Sequence, residues 1–171
     1  MSAEPATDGA SSAPPIHAVV KPLSWILGRW LGKAGSCTYP TMKDVKYDEE
    51  IVFSHIGQPN IHFVATSCLP DSKRVLHRET GFIRMNPTSN QLAFISAHNN
   101  GVAYVEEGTH SDRELSVASS SVQRVIWGKE PSVRKTSRTF RRDGDVMEQV
   151  MHLETSEQSL TEHLRVTYQR A

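Results

Sequence analysis

Turn chemistry recurs along this chain roughly every ten residues, and that rhythm limits the folds open to it. Gly57-Gln58-Pro59, Pro70-Asp71-Ser72, Asn86-Pro87-Thr88-Ser89-Asn90, Asn99-Asn100-Gly101 and Asp143-Gly144 each offer residues that bend the backbone or take positive φ. Asn100-Gly101 is the strongest hairpin signal, because both residues enter the left-handed region at little cost. Between the turns lie short runs rich in β-branched and aromatic residues. They read as strands over residues 30–39, 47–55, 61–67, 75–85, 91–97, 102–107, 114–120, 122–127, 133–141 and 146–153, with a closing strand over 160–168. Only Pro22-Leu23-Ser24-Trp25-Ile26-Leu27 has helical spacing, enough for one turn with Leu23, Ile26 and Leu27 on one side, and Gly28 ends it. Sequential hairpins without long helices predict an all-β, lipocalin-like, up-and-down antiparallel barrel of about ten strands. A barrel of that width leaves an internal cavity. The last strand is expected to pair with the first and seal it.

Residues 1–17 are rich in Ala, Ser and Pro and are expected to be a disordered tail, leaving 18–171 as one domain. Nineteen Lys and Arg balance nineteen Asp and Glu. A neutral chain lacks the basic surface that counterion release requires, so no nucleic-acid partner is expected. No apolar run approaches the roughly 18 residues of a membrane span, and the first residues lack the pattern of an export signal. A cytoplasmic protein is expected, with the nucleus as a further compartment. Cys37 and Cys68 are then reduced thiols.

The residues that could carry chemistry are few. There is no Gly-x-Ser-x-Gly, no phosphate loop and no His-Glu-x-x-His. Gly28-Arg29-Trp30 opens the first strand, and its tryptophan reads as a plug for one end of the barrel. His55 and His62 flank a turn and read as exposed. His98 and His110 sit beside hairpin turns and read as solvated, and His152 reads as outward. His77 stands in Leu76-His77-Arg78-Glu79, where a bond to Glu79 would account for it. The 133–141 strand carries Arg134, Lys135, Arg138 and Arg141 with no apolar face, so it reads as the most solvated strand, with a basic patch as the alternative. His163 closes the set, on the sealing strand. Strict alternation groups it with Arg165 and Thr167, opposite Leu164, Val166 and Tyr168, and so turns it outward unless a bulge intervenes.

Taken together, several segments resemble the nitrobindin family, haem-binding β-barrels that also occur as the C-terminal domain of a THAP-type zinc-finger protein. They are Pro22-Leu23-Ser24-Trp25-Ile26-Leu27-Gly28-Arg29-Trp30, Tyr39-Pro40-Thr41, Tyr47-Asp48-Glu49-Glu50, Phe53-Ser54-His55-Ile56-Gly57-Gln58-Pro59, Leu76-His77-Arg78-Glu79-Thr80-Gly81-Phe82-Ile83-Arg84, Asn100-Gly101 and His163-Leu164-Arg165-Val166-Thr167-Tyr168. The family's Gly-x-Trp-x-Gly-x-Gly is met by Gly28, Trp30 and Gly32, but its last glycine falls one place late, at Gly35. The resemblance implies a ten-stranded barrel holding ferric haem b. His163 would be the axial ligand and catalytic centre, with Thr41 and His77 as haem contacts. It further implies reversible nitric oxide binding and isomerisation of peroxynitrite to nitrate at a five-coordinate iron. The alternatives are a non-enzymatic nitric oxide sensor or store, or a carrier of an apolar small ligand. A homodimer is left open, and the relative's zinc-finger half finds no counterpart in these residues.

Overall fold

The structure, a computed structural model, describes residues 14–37 and 45–171. A 3₁₀ helix, Ala18–Ile26, leads into ten strands: β1 Gly28–Cys37, β2 Val45–Ser54, β3 Asn60–Cys68, β4 Val75–Met85, β5 Gln91–His98, β6 Val102–His110, β7 Glu114–Arg124, β8 Val133–Asp143, β9 Val146–Thr155 and β10 Thr161–Arg170. Each strand pairs antiparallel with the next, and β10 pairs with β1, so the sheet closes on itself. Closure leaves no edge strand to template aggregation. The expected up-and-down barrel is therefore the fold.

One expected strand is absent as a separate element. Residues 122–124 finish β7, and the chain then turns, with Gly128 N–H donating to the Val125 carbonyl. Ile126 and Trp127 are 95% and 83% exposed at that tip. Their apolar character suggested a strand, but a strand also needs a partner to take its hydrogen bonds. The helix, in turn, is longer than the single turn expected.

That helix plugs one end of the barrel. Val20, Leu23, Trp25 and Ile26 are buried there. Trp30, fully buried, donates from Nε1 to the Ile26 carbonyl at 2.7 Å, as expected of a plug. Arg170, near the end of β10, lies 4.4 Å over the Trp30 ring and donates to the Leu27 and Trp25 carbonyls. Above the plug, inward side chains fill the barrel with an aromatic cluster. Phe63 and Phe94 are 4.4 Å apart by ring centroid, and Phe53 meets Phe140 edge-on at 5.9 Å.

The late glycine of β1 has a structural answer. Gly32 pairs with Glu49 and Gly35 with Tyr47, so three steps along β1 match two along β2. The extra residue is absorbed as a bulge and the strand continues. Gly32 itself abuts β10: a Cβ there would collide with the Val166 side chain and press on the Tyr168 ring.

Candidate functional site

Along the inward face of several strands, apolar side chains give way to polar ones at the same depth. On β2 the series Phe53, Ile51 ends in Glu49, and on β4 Met85 and Ile83 precede Glu79 and His77. On β5 Leu92 and Phe94 precede Ser96 and His98; on β8 Phe140 precedes Arg138 and Thr136. Beyond this layer the barrel is hollow. A cavity of about 480 Å³ occupies the end opposite the helix, lined by Glu49, His77, Glu79, His98 and Arg138 of the polar layer and by Leu76, Val133, Met151, Leu153, His163 and Leu164. That volume is within the usual range for small-molecule sites.

Arg138 organises the polar layer. It is 1% exposed and donates from Nη1 and Nη2 to the two oxygens of Glu79 at 2.8 and 3.0 Å. Its Nε faces Glu106 Oε2 at 3.3 Å, and its guanidinium lies 4.6 Å over the Phe94 ring, on top of the aromatic floor. Glu106, fully buried, accepts from Thr136 Oγ1 at 2.5 Å. Burial would raise Glu79, but Arg138 outweighs it and holds the carboxyl at about 2. Burial likewise works against the charge on Arg138, and the two carboxylates outweigh it and push the guanidinium further up. Breaking such a pair leaves an uncompensated buried charge.

Two histidines continue the layer. His77 Nε2 lies 2.9 Å from His98 Nδ1. His98 Nε2 lies 2.9 Å from Ser96 Oγ and 3.4 Å from Glu79 Oε2, with the ring packed 4.5 Å from Tyr104. Burial lowers both imidazoles, that of His98 to about 4, which favours the uncharged ring in each. On the other wall Glu49 accepts from Tyr168 Oη at 2.5 Å, and that hydroxyl is 2.6 Å from Gln149 Oε1. Desolvation pushes Glu49 up to about 7, against the opposing hydrogen bond from Tyr168.

His163 reaches the cavity through an irregularity. In the β10–β9 ladder Glu162 pairs with His152 and Leu164 with Met151, so His163 is the extra residue of a bulge. Strict alternation would have turned it outward; the bulge lets both His163 and Leu164 line the cavity. His77 lines it as well, but its hydrogen-bonded partner is His98, and Glu79 is reached through His98 rather than by His77. Thr41 lies outside the described residues.

Other expectations need correction. His98 is not solvated: its side chain is 4% exposed, because the residue before the Asn99-Asn100-Gly101 turn still points into the barrel. The β8 strand is not the most solvated one. Thr136, Arg138 and Phe140 form its buried face, the arginine being compensated by carboxylates from β4 and β6. His55 and His62 do not meet in a site and are half-buried. His55 Nδ1 accepts from the Gly57 N–H, and His62 packs on Phe82 and bonds Thr80. Among the described residues no group of three or more His, Cys, Asp or Glu is placed to hold a bare metal ion, and no helix is long and apolar enough to cross a membrane.

This geometry defines a class: a closed ten-stranded antiparallel barrel, plugged at one end, with a small-molecule pocket at the other. The comparisons with known proteins place it more closely. Residues 19–170 match the model of the THAP4-like, heme-binding beta-barrel domain, and the chain belongs to that family. It is 45% identical over 159 residues to the human peroxynitrite isomerase THAP4, covering 92% of this chain but 28% of that protein. It thus spans little more than a quarter of the length of this relative. A peroxynitrite isomerase from Arabidopsis thaliana is 32% identical, with 90% of this chain and 89% of the relative covered. The crystal structure of Rv2717c from M. tuberculosis superposes with a TM-score of 0.86 at 28% identity, covering 92% of this chain and 99% of that one.

Proposed function

We propose that the barrel holds ferric haem b through His163, and that the loaded protein binds nitric oxide and converts peroxynitrite to nitrate. The bulge at His163 carries this reading, because it gives a strand histidine an inward direction, beside Leu164, into a cavity that Leu76, Met151 and Leu153 also line. The His163 imidazole would hold the iron, and Leu76, Met151, Leu153 and Leu164 would offer apolar surface to the macrocycle. When bound, the haem would supply a redox-active iron able to react with small nitrogen oxides. The chain supplies the surroundings. Leu76, Met151, Leu153 and Leu164 give the pocket apolar surface, and the Arg138–Glu79 pair fixes charges at its base without adding net charge. Glu49, held near neutrality by its burial, can keep or release a proton at its carboxyl. Relatives aligned along nearly their whole length and named peroxynitrite isomerases support the activity.

The test is an absorption titration of the purified protein with ferric haem, wild type beside His163→Ala, followed by peroxynitrite decay and nitrate yield. A saturable Soret band at one equivalent, lost in the variant, is expected, with faster decay in the loaded wild type. An unchanged band in His163→Ala sinks the ligand assignment. A sound band without faster decay leaves nitric oxide binding without the isomerase, and no saturable band in either protein leaves a carrier of some other ligand.

A further inference from the structure

The contacts around His98 bear on where its proton sits. Glu79 is bound by both of its oxygens to Arg138, so it is a carboxylate. His98 Nε2 faces that carboxylate at 3.4 Å and Ser96 Oγ at 2.9 Å. A bare Nε2 could accept from the Ser96 hydroxyl, but its lone pair would then face the Glu79 carboxylate in a buried site, whereas a hydrogen on Nε2 meets acceptors at both; the arrangement favours the hydrogen on Nε2. A neutral His98 then has a bare Nδ1. His77 Nε2, 2.9 Å away, must donate to it. This leaves Nδ1 of His77, a residue lining the cavity, as a lone pair with its tautomer fixed.

We infer that His77 reads ligands in the cavity by accepting a hydrogen bond at Nδ1, with His98 and Glu79 as the positioning residues that hold it in that tautomer. The ligand class follows from the chemistry. A small protic oxyacid or hydroperoxide donates to His77, whereas an aprotic diatomic such as nitric oxide gains nothing from it. The ligand class rests on the haem reading above; the tautomer assignment does not.

Imidazole nitrogen NMR on the ligand-free protein tests the tautomer directly. In wild type, His77 and His98 are each expected to carry the proton on Nε2. His98→Phe removes the acceptor and is expected to leave His77 a mixture of tautomers. His98→Asn, whose amide oxygen takes the place of Nδ1, restores the wild-type state. In the haem-loaded proteins, assayed at a pH acid enough for peroxynitrous acid rather than its anion to predominate, the ratio of its consumption to nitric oxide affinity is expected to fall about five- to tenfold in His98→Phe and His77→Leu, the worth of one hydrogen bond, and to recover in His98→Asn. A proton on His77 Nδ1 in wild type, or a His98→Asn variant no better than His98→Phe, overturns the inference. If wild type shows the expected tautomers but leaves peroxynitrite untouched, the positioning by His98 and Glu79 stands and the ligand class is overturned along with the isomerase reading.

Discussion

The two ends of this barrel are built from the same strands by opposite rules. Toward the helix, Phe53, Phe63, Phe94 and Phe140 interlock with aliphatic side chains, and burial is its own reward. Toward the mouth, Glu79, Glu106 and Arg138 are sunk in the barrel interior and must compensate one another. The closed end stores stability and the open end spends some of it on a shaped, charged pocket. Arg138 is where they meet, with its ring-stacked face on Phe94 and its nitrogens on carboxylates.

The contrast can be broken at either end. Phe63→Ala opens a void in the aromatic floor and is expected to lower stability by about 4 kcal/mol in urea unfolding. Its haem stoichiometry, measured on the folded protein, should not change. Arg138→Met strands Glu79 and Glu106 and is expected to lose about 3 kcal/mol. Part of that loss should return when Glu79→Gln is added, whereas a fully additive double variant would mean the pair is not coupled.

Gly32→Ala forces a methyl against Val166 at the β1–β10 seam and should lose about 2 kcal/mol. If this variant is as stable as wild type, the seam is looser than described. Glu49 gives a pH signature that the floor cannot. Its folded pKa is raised from 4.5 to about 7, so it contributes stability below 4.5 that is lost as pH rises through 7. Glu49→Gln removes that loss. The variant should gain on wild type by about 1–2 kcal/mol between acid and alkaline pH, read by unfolding at both. The smallest effect belongs outside: Glu114→Ala, which unpairs exposed Arg141, should change stability by under about 1 kcal/mol.

The sequence announced the closed end more clearly than the open one. Turn spacing and strand composition gave ten strands, the sealing of β10 on β1 and the Trp30 plug. Periodicity alone could not place His163, because a bulge adds one residue and reverses facing; only resemblance pointed to it. Polarity alone points His98 and Arg138 outward, and the fold turns both inward. The signal was nonetheless present in parity. Glu79 lies an even number of residues from Ile83 and Met85, and Arg138 from Phe140, so each shares a face with the core. What parity cannot show is that carboxylates from β4 and β6 converge on an arginine from β8. That is a property of closure, which brings distant strands to face each other across the lumen.

The helix plug has a consequence for traffic. Among the described residues the helix closes the base, so a ligand reaches the pocket from the opposite end. Asn100 and Val133 line the pocket that it enters.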